Sequence, residues 1–431
     1  MIFPKNTINK RSDVLSKFYK VAVVGGGAAG LLCAARLVCG DSPLCGKDVL
    51  LLEKCDRVGK KLIATGNGRG NLFNAKFGAE FYHGEKNFIN SFVKNFISEN
   101  PPDFLEKLGI PLAEEDGKIY PASFQASAVL DVLRSFLEYK GVRTETSAEV
   151  TGVSRADGGF RLQTIAEEYF AQKLVLAFGG AAAKQFGTDG KSFALAKILG
   201  HTVTNLCPSL VQLKTELTHI KGLKGLKENV GIEAVSEGKS LGKAEGELLF
   251  TEYGVSGNAI FKISSLVTDK DNVTLKIEFA PQFSTEKIYE LLEYRSNLRY
   301  INYNDLLTGI VNKRIGAVII KRAGAEELFN KESTRSVALK KITETLKCFK
   351  LKVTGNLGFD YAQATKGGVN TDEIDPKTYE SKKTKGAYIV GEALDADGDC
   401  GGYNLSFAFA TGMTAADDII NRLKIHKIEG K

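Results

Sequence analysis

The sequence predicts an α/β protein whose parallel-sheet domain is interrupted by an inserted β-rich segment. Two observations support the α/β domain: a strand, a glycine turn and a helix follow one another from Val21, and a second glycine-opened helix begins near Gly401. The insertion is indicated by residues 206–351, which are rich in glycine and lysine and contain short alternating apolar runs. At 431 residues the chain is long enough for about three domains, or for two of which one is split.

The first constellation is a strand, turn and helix that suit a dinucleotide. Residues 21–24 are apolar and β-branched, and Gly25, Gly27 and Gly30 follow with the spacing G-x-G-x-x-G. Such glycines permit a tight turn, the approach of a pyrophosphate to the backbone and close packing of helix on strand. The phosphates would meet free N–H groups at the positive end of the helix dipole. A glycine turn without a ligand is the alternative.

A second buried strand supports the ligand interpretation. Residues 49–52 are apolar and end at Glu53, which lies 23 residues after Gly30 (53 − 30). A carboxylate at this spacing can accept hydrogen bonds from an adenosine ribose. Strand, helix and acidic residue together therefore predict a dinucleotide site.

The composition is that of an ordinary soluble globular protein, with 43% hydrophobic and 25% charged residues. The seven cysteines include no C-x-x-C pair, and an odd number cannot all be bridged within one chain, so we expect reduced thiols and a cytoplasmic protein. Residues 1–20 contain no apolar central segment, do not resemble a secretory signal and are interpreted as an extension ahead of the first strand. The net charge of +7 is spread along the chain, which disfavours nucleic acid as a partner.

Between the first strand pair and the insertion, the sequence alternates irregular, helical and strand patterns. Residues 59–74 combine glycines, asparagines and an arginine in an irregular segment whose N–H groups can face a ligand. Residues 86–108 and 125–140 have helical apolar spacing, and Gly141 suits the C-cap of the second helix.

Three short β-like runs then precede another buried strand. They cover residues 142–154, 159–165 and 168–172, and the turn Asp157-Gly158-Gly159 indicates a hairpin; the buried strand spans residues 174–178 and stops at Gly179-Gly180. A hairpin-linked β unit ahead of a returning core strand is typical of FAD domains of the two-dinucleotide type. This pattern favours FAD over NAD.

The inserted region changes from β-like to helical. Residues 206–280 predict a small β-barrel or sandwich, and residues 285–325 have helical spacing. We interpret the insertion as a substrate or cap region. Its lysines at 214, 221, 224, 227, 239 and 243 are interpreted as a solvated face, with an anion or nucleic-acid patch as the alternative.

The C-terminal part returns to the pattern of a dinucleotide domain. Residues 364–369 form a glycine turn, and residues 387–390 form a buried strand that ends at Gly391-Glu392. A helix then opens at residues 401–404. Two glycine-opened helices at opposite ends of one chain are much stronger evidence for a cofactor fold than either alone.

With both ends considered, the sequence resembles the BaiN/YhiN-type family of FAD-dependent oxidoreductases. The matching stretches run across nearly the full length: GGGAAG (25–30), GKKLIATGNGRGNLFN (59–74), GKIYPAS (117–123), LVLAFGG (174–180), GELLFTEYGVSGNAI (246–260), ATKGGV (364–369) and GEALDADGDCGGYNLSFAFATG (391–412). The last stretch is the most specific.

The resemblance implies a Rossmann-like FAD-binding domain of two-dinucleotide type, interrupted by a small β-barrel that carries a helical hairpin. The implied boundaries are 1–205 and 351–431 for the FAD domain, 206–280 and 328–350 for the barrel, and 281–327 for the hairpin. Three positions depart from the family pattern: Gly70 replaces a cysteine, Glu252 a histidine and Asn258 a proline. A histidine acid or base in the barrel motif therefore cannot be carried over.

In this arrangement Glu53 would hold the ribose, and the backbone of Val150 would meet the adenine edge. Glu392 stands where such folds place the acidic residue near the ribityl chain, with Asp395 and Asp397 as alternates. The helix start at residues 402–405 would direct N–H groups toward the N1/C2 edge of the flavin, where negative charge collects on reduction. The predicted cofactor-binding residues are Gly25, Gly27, Ala28, Ala29, Gly30, Glu53, Lys54, Lys61, Gly66, Asn67, Gly68, Arg69, Gly70, Asn71, Val150, Gly179, Gly180, Gly391, Glu392, Gly402, Asn404 and Leu405.

No catalytic residue is assigned from the sequence, and no metal site is expected. Tyr253, Tyr403 and Tyr120 are candidate proton donors, although each is more often a packed aromatic side chain. Cys400 lies near the predicted flavin edge, where an inert thiol is the simpler interpretation.

The leading functional prediction is an NAD(P)H-linked FAD reductase of an unsaturated or carbonyl-bearing small molecule, which the resemblance suggests is dehydro-bile-acid or steroid-like. The insertion contains no second G-x-G-x-x-G unit, so NADH or NADPH would be a transient visitor to the flavin. One alternative is an FAD-dependent oxidase of small amines such as aminoacetone. A second alternative is an RNA-binding flavoprotein, because some tRNA-modifying enzymes use related FAD domains. We expect no membrane partner.

Overall fold

The computed structural model describes residues 18–429, and the chain divides into two compact units. Of these residues, 18–206 and 364–429 form one unit, and 207–363 form the other. The predicted extension lies outside the described residues as far as residue 17, whereas residues 18–20 already belong to the first strand.

The first unit is built on a seven-stranded sheet. Its central strand, Phe18–Val24, pairs in parallel with Val49–Leu52 on one side and with Glu168–Leu176 on the other. All four residues of Val49–Leu52 are buried, as expected for a parallel strand covered on both faces. The remaining strands of this sheet are Arg143–Glu145, Val150–Ala156, Gly159–Thr164 and Ala387–Ile389.

The predicted hairpin at residues 157–159 is confirmed, since Val150–Ala156 and Gly159–Thr164 pair antiparallel across it. The predicted break between residues 172 and 174 is wrong. Glu168–Leu176 is one strand, because its pairing with the first strand continues from Phe170 to Leu176.

The other elements of this unit connect and cover the sheet. The short strands are Phe73–Asn74, Tyr82–Gly84, Leu112–Glu115, Lys118–Pro121, Ala364–Lys366 and Ala396–Gly398. The α-helices are Ala28–Leu37, Lys60–Ala64, Lys86–Glu99, Pro101–Lys107, Ala126–Lys140, Phe193–Ile198 and Tyr403–Glu429.

Two helix ends show how local sequence sets the boundaries. Ala126–Lys140 ends at Gly141, which has φ of 74° and is the predicted C-cap. The single helix predicted over residues 86–108 is instead two helices, because Asn100 turns left-handed at φ of 45° and Pro101 opens a new helix.

The helices Ala28–Leu37 and Tyr403–Glu429, here called the fingerprint helix and the C-terminal helix, pack closely. A side chain added at Gly412 would overlap the carbonyl oxygen of Ala29. Glycine at this position therefore lets the backbones of the two helices approach each other directly.

The second unit is centred on a closed six-stranded barrel. Phe349–Asn356 pairs with Val273–Phe279 on one side and with Leu213–Thr215 on the other, which closes the barrel. Its other strands are Lys227–Ser236, Lys239–Phe250 and Gly254–Ser256. The remaining elements of this unit are the strand Cys207–Ser209 and the α-helices Asn258–Val267, Thr285–Ser296, Lys313–Ala323, Glu326–Phe329 and Arg335–Lys347.

Two boundaries within this unit differ from the prediction. The helical segment does not end at residue 327, because Arg335–Lys347 is a further helix whose Ile342 and Leu346 are fully buried in the core of the unit. The barrel does not end at residue 350, because Leu351 pairs with Leu275 inside its wall.

Candidate cofactor site

The fingerprint turn separates two glycines needed for packing from one that faces open space. A side chain at Gly25 would overlap the carbonyl oxygen of Ala177, and one at Gly30 would overlap that of Gly25. Apart from the adjoining Gly26 and Ala28, no atom of the described chain lies within 4 Å of the position that a Cβ of Gly27 would take. Gly27 is also the N-cap of the fingerprint helix, and among the described residues no side chain caps that helix. This is the opening that a phosphate group requires.

Glu53 lies beside this opening at the end of its strand. One carboxylate oxygen accepts a hydrogen bond from the N–H of Gly26 and the other from the N–H of Cys55, both at 2.8 Å. Each oxygen keeps a second lone pair for a further donor such as a ribose hydroxyl. The two backbone bonds thus hold the carboxylate against the turn.

Two other predicted residues of this half have protein partners. The ammonium of Lys54 pairs with Asp189 at 3.0 Å. Val150 begins the hairpin strand and is buried, with Thr164 as its neighbour across the strand pair.

The predicted glycine loop is a short helix, Lys60–Ala64, followed by a turn of unusual backbone. Gly66 and Asn67 are both left-handed, at φ of 58° and 55°. Gly68 and Gly70 also have positive φ, and a Cβ at Gly70 would lie 3.0 Å from the Cα of Ala126. The turn therefore presents backbone rather than side chains.

Arg69 is the exception in this loop, because its side chain is held by protein groups. The guanidinium lies over the rings of Tyr120 and Phe124, at 4.7 and 4.6 Å from their centroids, and pairs with Glu115 at 2.6 Å. Its contacts explain the position of the loop without a ligand.

A polar hub joins four segments of the chain. Lys61 pairs with Glu392 at 2.6 Å, and the other oxygen of Glu392 accepts from the N–H of Thr365 at 2.9 Å. The hydroxyl oxygen of Thr365 accepts from the N–H groups of Ala181 and Ala182 at 2.8 and 3.0 Å. Close to this hub, Gly179 and Gly391 adopt positive φ, and a side chain at Gly180 would overlap the Thr365 hydroxyl.

The start of the C-terminal helix is fixed by its own Asn404 and by residues 73–74 of a remote segment. The amide of Asn404 accepts from the N–H of Gly398 at 3.0 Å and donates to its carbonyl at 2.7 Å. Asn74 donates to the carbonyl of Gly401 at 2.9 Å. A Cβ at Gly402 would lie 2.6 Å from the backbone carbonyl of Phe73. Leu405 follows in the first turn of the helix and is half-buried.

One atom beside this helix start lacks a partner. The side-chain oxygen of Asn71 is buried and accepts no hydrogen bond from the described chain, and it lies 3.0 Å from where a Cβ of Gly402 would be. A buried acceptor without a donor costs about 1–3 kcal/mol, which a bound hydrogen-bond donor would offset. The open phosphate end at Gly27 and the orphan acceptor at Asn71 both fit an extended dinucleotide with a polar ring system.

The candidate proton donors are packed to different degrees. Tyr403 is only 4% exposed, stacks on Phe81 at 4.7 Å and donates to the carbonyl of Lys76 at 2.9 Å, and burial raises its pKa to about 12. Tyr120 is buried beneath Arg69. Tyr253, in the barrel unit, is half-buried, and burial also raises its pKa. Tyr403 and Tyr120 thus have clear structural roles.

Sequence reasoning missed His83, which faces two carboxylates. The short strands Tyr82–Gly84 and Ala396–Gly398 pair antiparallel and place His83 opposite Asp397. Neither strand has a strong local pattern, and only the family motif around residue 397 could have drawn attention to this place.

Among residues 18–429 no helix is both long and apolar enough to span a membrane, and no three His, Cys, Asp or Glu side chains are grouped as metal ligands would be. None of the seven cysteines, all of which lie in this range, forms a disulfide bond, and Cys400 is half-buried.

A family model described as the HI0933-like protein Rossmann domain matches residues 19–418. The chain belongs to this family. It is 32% identical over 402 residues to a 3-dehydro-bile acid delta(4,6)-reductase of Clostridium scindens, covering 92% of this chain and 98% of that protein. It is 26% identical over 412 residues to a ribosomal RNA dihydrouridine synthase of Escherichia coli, covering 93% and 98%.

Solved structures resemble the fold more distantly. A 3-ketosteroid-delta4-(5alpha)-dehydrogenase from Rhodococcus jostii matches with a TM-score of 0.47 and 16% identity, over 93% of this chain and 97% of that one. A quinol fumarate reductase chain from E. coli matches with a TM-score of 0.49 and 16% identity, over 94% and 70%.

The family assignment confirms several predictions from the sequence. The predicted family resemblance and the Rossmann-like fold with an inserted barrel are confirmed. The protein is an FAD-dependent oxidoreductase.

Proposed function

We propose that this enzyme is an NAD(P)H-linked reductase that saturates a C=C bond conjugated to a carbonyl group in a small molecule. The observation that carries the proposal is the near-full-length match to a 3-dehydro-bile acid delta(4,6)-reductase at 32% identity. Unsaturation at the 4 and 6 positions of a 3-keto steroid is conjugated to the carbonyl. The other relatives are named ribosomal RNA dihydrouridine synthases. Dihydrouridine arises from uridine when a C=C bond of the uracil ring is saturated, and that bond is likewise conjugated to a carbonyl group. The shared chemistry is thus a reduction of an activated C=C bond.

The residues of the first unit divide between the two ends of FAD. We assign the phosphates to the opening at Gly27 and the first N–H groups of the fingerprint helix, because no side chain there competes for them. Glu53 would accept from the ribose hydroxyls with the lone pairs its backbone bonds leave open.

The isoalloxazine end is assigned to Asn71 and the start of the C-terminal helix. The orphan acceptor of Asn71 would receive a ring N–H, and the N–H groups at residues 403–405 would favour negative charge on the ring. Lys61 and Glu392, paired at 2.6 Å, would lie along the chain that links the two ends. FAD supplies the two-electron transfer when bound, and the protein supplies position and electrostatics.

The nicotinamide donor is proposed to visit the flavin transiently. The inserted residues contain no second strand–turn–helix with the G-x-G-x-x-G spacing, so a separate nicotinamide domain is not expected. Donor and acceptor would then use the same flavin face in turn.

An anaerobic experiment tests donor and acceptor separately. The holoenzyme is mixed with NADH or NADPH, and the flavin absorbance should bleach with one of them. A steroid 4,6-dien-3-one is then added without oxygen, and the absorbance should return while mass spectrometry shows a gain of two hydrogens. Absence of bleaching with both nicotinamides would contradict the donor. Reoxidation by air alone, with bleaching by aminoacetone, would instead establish the amine oxidase alternative.

A second candidate substrate is uracil within ribosomal RNA. Two relatives at 25% and 26% identity are ribosomal RNA dihydrouridine synthases. In this chain residues 313–352 hold eleven Lys or Arg and four Asp or Glu, a local charge of +7 (11 − 4), which would suit a polyanion. Ribosomal RNA incubated with enzyme and NAD(P)H, then digested for nucleoside mass spectrometry, should contain no new dihydrouridine if the small-molecule proposal holds. New dihydrouridine would favour the RNA substrate.

A further inference from the structure

His83 stands in an electrostatic environment that the cofactor site does not account for. Its Nδ1 lies 3.6 Å from a carboxylate oxygen of Asp397, and its Nε2 lies 3.5 Å from one of Asp399. The side chain of Asp397 is 3% exposed, whereas that of His83 is 31% exposed. A buried carboxylate thus lies beside Nδ1 of an imidazole whose side chain is partly exposed.

Three contacts tie the segment that carries His83 to the start of the C-terminal helix. The hydroxyl of Tyr82 donates to the carbonyl of Tyr403 at 3.2 Å, and the ring of Phe81 stacks on that of Tyr403. The N–H of Asp399 donates to the carbonyl of Phe81 at 2.9 Å. His83 is therefore anchored beside the helix start to which the flavin ring is assigned.

The charges around His83 favour its protonated form. The carboxylate of Asp397, 3.6 Å from Nδ1, raises the pKa of His83 above its usual value, the charge of Asp399 adds to this, and burial and the ammonium of Lys366 oppose it. A protonated imidazole near neutral pH is a general acid with the proton available at its more exposed nitrogen.

We propose that His83 is the catalytic acid of this enzyme and that Asp397 is the positioning residue that orients its ring. The proposal rests on the reductase function above. Saturating a conjugated C=C bond requires a hydride at the β-carbon and a proton at the α-carbon. FAD, when bound, would supply the hydride equivalent that it takes from NAD(P)H. Nε2 of His83 would donate the proton, and the imidazole would recover a proton from water.

The first test needs no substrate. Protein labelled with ¹³C-histidine is titrated by NMR, and the resonance missing from His83→Asn identifies His83. Its midpoint should lie above the ordinary value of about 6.5 and should fall in Asp397→Asn. A midpoint at or below the ordinary value in the wild-type protein, unchanged by Asp397→Asn, would overturn the proposal.

The second test separates the two half-reactions. In His83→Asn, bleaching of the flavin by the nicotinamide should keep its rate, whereas reoxidation by a steroid 4,6-dien-3-one should slow about 100-fold. His219→Asn, which changes an exposed histidine of the barrel unit, should leave both rates unchanged. Equal flavin content and equal circular dichroism of the variants would exclude misfolding.

The pH profile distinguishes a catalytic from a structural role. The wild-type rate of steroid reduction should fall as pH rises through the pKa of His83, because the imidazole then has no proton to donate. This decline of the rate at high pH should move to lower pH in Asp397→Asn and disappear in His83→Asn. If the wild-type enzyme reduces the dienone and His83→Asn does so at the same rate and with the same pH dependence, His83 is not the catalytic acid, although the proposed function stands. A wild-type enzyme that bleaches with nicotinamide but reduces no conjugated C=C bond would contradict the proposed function, and the NMR titration would still test the histidine.

Discussion

Two helix starts in the first unit look alike in sequence and are built differently. At the fingerprint helix the glycines make room for backbone: Gly30 packs against the carbonyl of Gly25, and Gly27 faces open space. At the C-terminal helix, Gly402 packs against the backbone of Phe73, and the side-chain amide of Asn404 forms two hydrogen bonds with the backbone of Gly398. The turn of the first start is therefore shaped by glycines packed against backbone, whereas the second start also needs the side chains of Asn404 and Asn74.

This difference matches the chemistry assigned to each end. A pyrophosphate needs only N–H groups and space, which a local turn supplies. A flavin ring needs donors and acceptors at defined positions, and these must come from several segments held together. We therefore expect substitutions at the two helix starts to differ in how much they lower stability and how much they weaken FAD binding.

The largest effect is expected at the turn before the fingerprint helix, where substitutions of two glycines should differ in their effects on stability and on FAD binding. Gly30→Ala forces a methyl group onto the carbonyl of Gly25, so the free energy of unfolding should fall by about 3 kcal/mol, with loss of FAD. Gly27→Val points into open space and should cost about 1 kcal/mol or less in the apoprotein. It should nevertheless lose most bound FAD. Urea unfolding and flavin absorbance measure the two quantities, and a Gly27→Val protein with full flavin content would disprove the phosphate assignment.

At the C-terminal helix, stability should depend on a side chain instead. Asn404→Ala removes both hydrogen bonds to the buried backbone of Gly398, and we expect the apoprotein to lose about 2 kcal/mol. Asn74→Ala removes one bond to Gly401 and serves as the matched comparison, with about half that loss. Urea titration of both apoproteins measures this. Equal stability of wild type and Asn404→Ala would show that the two hydrogen bonds to Gly398 do not stabilise the helix start.

At Asn71 a smaller effect is expected, and it should fall on FAD binding and not on the stability of the apoprotein. Its side-chain oxygen is buried without a donor, so Asn71→Leu should leave the apoprotein as stable as the wild type or slightly more stable. FAD should bind about tenfold more weakly, which corresponds to about 1.4 kcal/mol. Fluorescence titration of apoprotein with FAD gives the affinity. Unchanged affinity would mean that the oxygen does not face the cofactor.

The same contrast explains what the sequence could predict. The strand Val49–Leu52, the hairpin at residues 157–159 and the helix cap at Gly141 follow from local periodicity and glycine placement. The hub around Thr365 and the pairing of His83 with Asp397 could not be predicted, because they depend on which remote segments meet. The sequence therefore predicts the phosphate end of the site better than the flavin end.

The smallest predicted effect concerns the link between the two helices. Arg36 of the fingerprint helix pairs with Asp417 of the C-terminal helix at 2.8 Å, and Glu99 lies 3.9 Å from Arg36. Burial, together with the hydrogen bond to Asp417, raises the pKa of Glu99 to about 8 from an ordinary value near 4.5. The folded state thus holds a proton that the unfolded state releases between these values.

It follows that stability should be highest below about pH 4.5 as far as Glu99 is concerned, and should decline as pH rises toward 8. Glu99→Gln keeps a neutral side chain at every pH and should remove about 1 kcal/mol of that decline, because Arg36 and Asp417 share the charge. Glu106→Gln, at an exposed glutamate of the neighbouring helix, should leave the decline intact. Urea unfolding of the three apoproteins at pH 5 and pH 8 decides this. If Glu99→Gln loses as much stability as wild type over that interval, Glu99 is ionised in the folded protein and contributes no proton-dependent stability beside the pair of Arg36 and Asp417.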